Sequence, residues 1–101
     1  MTAARFTGEK RSGIHRFLGI RYARARRFMP PVAEPFRSQA RADAFGPSCS
    51  QSNSRSAQQD EDCLFLNVWI PGLDSRAMRP VMVYIHGNDG AKVARYFAGI
   101  G

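Results

Sequence analysis

Apolar and polar positions alternate most regularly in residues 63–71, where Leu64, Leu66, Val68 and Ile70 fall on one side of an extended chain and Phe65, Asn67 and Trp69 on the other. A side-chain period of two is that of a β-strand. With large side chains on both sides, this strand is expected to be buried on its first face and largely covered on its second. Pro71-Gly72 ends it. After the turn-rich residues 73–80 comes Val81-Met82-Val83-Tyr84-Ile85, apolar throughout. An unbroken apolar run of that length predicts a second strand, inside a sheet covered on both faces. It ends at His86-Gly87.

The earlier part of the chain is patterned less strongly. Gly8, Gly13 and Gly19 punctuate short runs that hold Ile14, Phe17, Leu18, Ile20 and Tyr22, which predicts small strands joined by tight turns. Residues 24–47 are looser. Pro30, Pro31 and Pro35 exclude a long helix before Phe36, and Ala40, Asp43 and Ala44 leave room for one helical turn before Gly46-Pro47. Residues 48–62 are rich in Ser and Gln and carry too little apolar surface to order themselves. Something else must tie that loop down. No internal repeat is seen.

A chain of 101 residues, 44% apolar, is bounded to one small domain or a piece of one, spanning 1–101. Its net charge of +7 is concentrated at the front, where residues 1–41 carry nine arginines and Lys10 against Glu9 and Glu34. Clustered arginines displace counterions from nucleic acid, so such a partner must be weighed. The arginines lie between turn and strand signals and not along a helix, with no aromatic stacking motif beside them, which favours a solvated face. The first 20 residues carry Arg5, Glu9, Lys10, Arg11 and Arg16 with no apolar stretch, so a secretory leader is not expected. The longest apolar run has five residues, where a membrane span takes about 20. The expectation is a cytoplasmic protein without membrane contact.

Cys49 and Cys63 enclose 13 residues of the polar loop. A bridge between them stabilises by about 3 kcal/mol on the chain-entropy argument. Two reduced thiols are the usual state in the cytoplasm. Zinc is a third option, but with only His15 and His86 elsewhere the spacing matches no usual ligand pattern. In an oxidising compartment the bridge ranks above zinc, and no metal or cofactor is expected.

Several stretches then carry a resemblance in the same order and approximate spacing. They are Gly19-Ile20-Arg21-Tyr22-Ala23, Arg27-Phe28 with Pro30-Pro31, Phe45-Gly46-Pro47-Ser48-Cys49-Ser50-Gln51, Glu61-Asp62-Cys63-Leu64-Phe65-Leu66-Asn67-Val68-Trp69, and Pro80-Val81-Met82-Val83-Tyr84-Ile85-His86-Gly87. Together they resemble the N-terminal part of type-B carboxylesterases, the family that includes the cholinesterases. The resemblance covers about 8–87, leaving 88–101 as a divergent tail. It implies an α/β class, the N-terminal fragment of an α/β-hydrolase fold made mostly of strands and loops with an incomplete central sheet. It implies that the loop after His86 helps build an oxyanion hole, placing Gly87, Asn88 and Asp89 in that segment. It also implies a disulfide between Cys49 and Cys63 and a structural ion pair between Arg27 and Glu61, and its secreted members bear on location. Three departures stand out: Arg24-Ala25-Arg26 replaces a proline- and glycine-bearing insert, Asp60 stands where a serine is usual, and Asn88-Asp89 interrupts a run of glycines. Asn and Asp tolerate positive φ, but a carboxylate at Asp89 opposes the charge such a hole must stabilise.

Ester hydrolysis on this fold needs a serine on a Gly-x-Ser-x-Gly elbow, then an acid and a histidine. These residues contain no such elbow, because Gly46-Pro47-Ser48-Cys49-Ser50 lacks the second glycine. Ser48 with His15 is an improvised pair at best, and Cys63 fares no better as a nucleophile. No catalytic residue is therefore assigned. Three readings follow: first in order of preference a truncated carboxylic-ester hydrolase family member inactive by itself, then a split esterase that turns over a carboxylic ester only when another chain supplies the rest, and a small basic nucleic-acid-binding protein. Strands are expected at residues 64–70 and 81–85, in a chain of poor stability with apolar faces open to water.

Overall fold

The computed structural model describes residues 5–35, 39–52 and 58–85. They form strands and loops with one short 3-10 turn, Ser75–Ala77. The organising element is β3 (Ile14–Arg21), the longest strand. It pairs with β2 (Glu9–Arg11) in an antiparallel hairpin, Arg11 opposite Ile14. The closing residues, Ser12 and Gly13, both have positive φ, 50° and 78°, the two-residue type I′ geometry that matches the twist of paired strands.

On its other edge β3 pairs antiparallel with β9 (Phe65–Ile70), His15 opposite Ile70 and Arg21 opposite Phe65, giving a sheet ordered β2-β3-β9. The register slips between Phe17 and Ile20. At that bulge Gly19 adopts φ 69° and donates its N–H to Oδ1 of Asn67 at 2.9 Å. Leu18 leaves the ladder, donates to the Ala42 carbonyl at 2.7 Å and bridges to Asp43. A bulge re-aims a side chain, and here it drives Leu18 inward until 2% of its surface is exposed. Among the described residues only Leu18, Ala23 and Ala42 are buried apolar side chains.

Around this sheet lie three short pairings. β1 (Arg5–Thr7) runs parallel to β6 (Gln39–Arg41), and Ala42 donates to the Thr7 carbonyl at 2.8 Å. β4 (Ala23–Arg24) is antiparallel to β5 (Val32–Ala33). β7 (Ser48–Cys49) is parallel to β8 (Gln59–Asp60), so part of the polar loop is paired strand.

Three expectations are corrected. Residues 81–85 are not a strand. They are open to solvent, with Val81 88% and Ile85 94% exposed, because a strand apolar on both faces exists only through partners on its edges, and none pairs with it among the described residues. The helical turn near Ala40 is instead β6 and its extension, since one turn carries a nucleation cost that the ladder to β1 does not. The faces of β9 are covered differently from expectation. Leu66 and Val68 are the exposed members, while Phe65 and Trp69 are half-buried, and the Phe65 ring packs against the backbone of Gly46.

Candidate functional site

The residues singled out in the sequence converge on the acidic turn that leads into β9. The β3–β9 register places Arg21 beside Phe65. Its guanidinium lies over the aromatic ring, 4.4 Å from the centroid, and donates to both carboxylate oxygens of Asp62, Nη2 to Oδ2 at 2.8 Å. A planar fork facing a carboxylate is the geometry that arginine, not lysine, provides. Asp62 N–H in turn donates to Oδ1 of Asp60 at 2.9 Å. A side-chain oxygen accepting from the amide two residues on is what a serine also supplies, which explains why Asp60 is tolerated there.

Arg27 is delivered from the other side. Met29 N–H donates to the Arg26 carbonyl at 2.9 Å, and Phe28, at the third position of that turn, has φ 64°. The tight turn projects Arg27 towards Glu61, with Nε to Oε1 at 2.8 Å and a second contact from Nη2. Arg24 binds Glu34 across the same hairpin, Nε to Oε2 at 2.8 Å. Cys49 and Cys63 are joined by a disulfide, their Cα atoms 5.0 Å apart. Gln51 N–H donates to Oε1 of Gln59 at 3.0 Å. The polar loop is thus held by one covalent link and two ion pairs, at Glu61 and Asp62, the two residues that precede Cys63.

These contacts set the electrostatics. The hydrogen bond from Arg21, reinforced by its charge, holds the Asp62 carboxyl below its ordinary value of 3.8. The same contact raises Arg21, and the hydrogen bond from Arg27 to Glu61 raises Arg27. Because the carboxyl is depressed in the folded chain, its contribution is present above the ordinary value and is lost as pH falls through the folded value. Asp62→Asn is therefore expected to destabilise the chain at neutral pH, and the gap between variant and parent is expected to close as pH is lowered from neutral through the depressed folded value. Urea unfolding of both proteins across that range checks this, and a gap independent of pH contradicts it.

The Arg21–Asp62 pair was not visible in the sequence, since it depends on a register between strands more than 40 residues apart. The improvised catalytic pair is not assembled. His15 sits on β3 between Lys10 and Ile70, whereas Ser48 lies on β7 beside Gln59, in a different sheet. Gly87, Asn88 and Asp89, expected from the resemblance to lie in an oxyanion-hole segment, fall outside the described residues. Among the described residues no cluster of His, Cys, Asp or Glu is arranged to hold a metal, and no helix is long and apolar enough to cross a membrane.

Among the described residues, short paired strands and a cross-linked loop define the segment. Its family is clear from comparison with known proteins: the chain belongs to the carboxylesterase family, whose model matches residues 3–93. It is similar to carboxylesterase 1F of Mus musculus, 38% identical over 93 residues that take in 71% of this chain and 17% of the relative. It is also similar to the para-nitrobenzyl esterase of Bacillus subtilis, 35% identical over 93 residues, 80% of this chain and 19% of that protein. The phenmedipham hydrolase of Pseudarthrobacter oxydans matches at 35% over 107 residues, 86% of this chain and 20% of the hydrolase. The chain spans about a fifth of the length of these relatives.

Proposed function

We propose that this chain provides the N-terminal scaffold of a carboxylic-ester hydrolase of the α/β-hydrolase fold, acting through a serine that these 101 residues do not contain. The match to the carboxylesterase family over residues 3–93 carries this reading. The cross-linked loop supports it, because the disulfide between Cys49 and Cys63 and the ion pair between Arg27 and Glu61 are the two links that the family resemblance implies. In that role the backbone amides of residues 87–89 face the oxygen that becomes negative as an ester carbonyl is attacked. The disulfide supports maturation in an oxidising compartment over the cytoplasm.

Nucleic-acid binding is less favoured. Arg11, Arg16, Arg21, Arg24, Arg27 and Arg41 are each within ion-pair distance of a carboxylate, which leaves less free positive charge than the composition suggests.

The test is a nitrophenyl-ester assay on the 101-residue polypeptide, alone and co-expressed with the remaining portion of a carboxylesterase. The expected result is no turnover alone and turnover on complementation, lost when the elbow serine of the added portion is replaced. Unaided hydrolysis abolished by replacing one of this chain's own side chains overturns the reading.

A further inference from the structure

We propose that the Cys49–Cys63 bridge is a thiol-exchange site for small anionic thiols, with Cys49 the sulfur attacked. Cys49 is exposed, and Cys63 is half-buried. A shallow open groove reaches the bridge, lined in part by Arg26, Arg27, Ser50 and Glu61. Arg27 is bound to Glu61, while Arg26 is exposed and has no ion-pair partner among the described residues. The charged side chains that line the groove therefore sum to one net positive charge; Asp60, opposite Cys49 in the β7–β8 pair, lies outside that lining, with its Oδ1 accepting the Asp62 N–H. Thiol exchange proceeds by thiolate attack on an accessible sulfur and is eased by stabilising the thiolate that leaves. The groove offers both an exposed sulfur and a cation to draw the anion in.

A small thiolate attacks Cys49 Sγ, the S–S bond breaks, and its electron pair passes to Cys63 Sγ, which takes a proton from water. This leaves a mixed disulfide on Cys49. A second equivalent attacks the small-molecule sulfur, freeing the Cys49 thiolate and releasing the symmetric small-molecule disulfide. Two small thiols are oxidised and the bridge is reduced. The loop that ends in Glu61-Asp62-Cys63 then loses its covalent closure, so the exchange loosens the platform that Arg21 and Arg27 brace. None of this depends on ester hydrolysis.

The experiment compares reduction of the oxidised 101-residue chain by glutathione, which carries a net negative charge besides its thiol, and by neutral 2-mercaptoethanol. The readout is the ratio of their rates at equal thiolate concentration, with adducts located by peptide mass spectrometry. Intrinsic nucleophilicity cancels when that ratio is compared between conditions. One net charge at about 8 Å in water favours glutathione about two- to threefold at low salt. The advantage is expected to vanish near 1 M salt, where screening acts over roughly 3 Å. Arg26→Glu is expected to invert the preference, a change of about fivefold in the ratio. Arg26→Lys is expected to retain it, which controls for any disturbance of the turn. A ratio unchanged by salt and by Arg26→Glu overturns the proposal, as does a first adduct on Cys63.

Discussion

Replacing Gly19 with valine is expected to destabilise this chain severely. Two independent penalties fall on that position. Its φ of 69° is a left-handed conformation, which costs an L-residue roughly 1–2 kcal/mol and a β-branched one more. A Cβ there would also lie 2.3 Å from the backbone oxygen of Ala44, which cannot swing aside as a side chain can. Relief requires opening the contact between β3 and the segment after β6, and that contact places Leu18 in the core. The combined loss is about 3 kcal/mol or more, in the range reserved for strain at a special backbone position. Gly13 is the matched control, because its φ of 78° is similar but a Cβ would meet nothing within 4 Å. Gly13→Asn is therefore expected to be nearly silent, as Asn adopts that conformation in hairpin turns. Urea unfolding followed by circular dichroism separates the two, and a Gly19→Val protein with the parental midpoint refutes the argument.

The same contrast explains what the sequence revealed and what it hid. The turn at Gly13 and the strand leading to Ile70 were legible because each depends on local signals, a punctuating glycine and a period of two. The bulge at Leu18-Gly19 was not, because its cause is a strand end more than 20 residues away. β6 was hidden for a related reason: Gln39–Arg41 carries no strand pattern and is extended because β1 pairs with it. Residues 81–85 misled in the opposite direction. Their apolar run signals burial on two faces, and burial is a property of the surroundings, which the described residues do not supply. At the site, residue-level reasoning left the state of the cysteines open, and only the family resemblance named Cys49 with Cys63 and Arg27 with Glu61. Arg21 escaped because its partner Asp62 is identified by register alone.

Replacing both Cys49 and Cys63 with alanine is expected to lower stability by about 3 kcal/mol, the value for closing a loop of this length, against a total of about 5–15 kcal/mol for an ordinary domain. With so few buried side chains among the described residues the total here is expected at or below the low end of that range, so the loss is large in proportion. Its distribution is the sharper test. The loop is otherwise held by a two-residue parallel ladder, the Ser48 N–H to Gln58 carbonyl bond at 3.0 Å, the Gln51 to Gln59 bond and the two ion pairs. Exposed ion pairs weaken in salt, whereas a covalent link does not. In the parent, amide protection at Ser48, Gln51 and Asp62 is therefore expected to survive about 1 M salt. In the double variant it is expected to be lost at any salt, while amides in the β3–β9 ladder exchange more slowly than those of the loop. Loop protection that disappears in salt with the bridge intact assigns the anchoring to the arginines. Protection unchanged in the double variant shows that the bridge is dispensable.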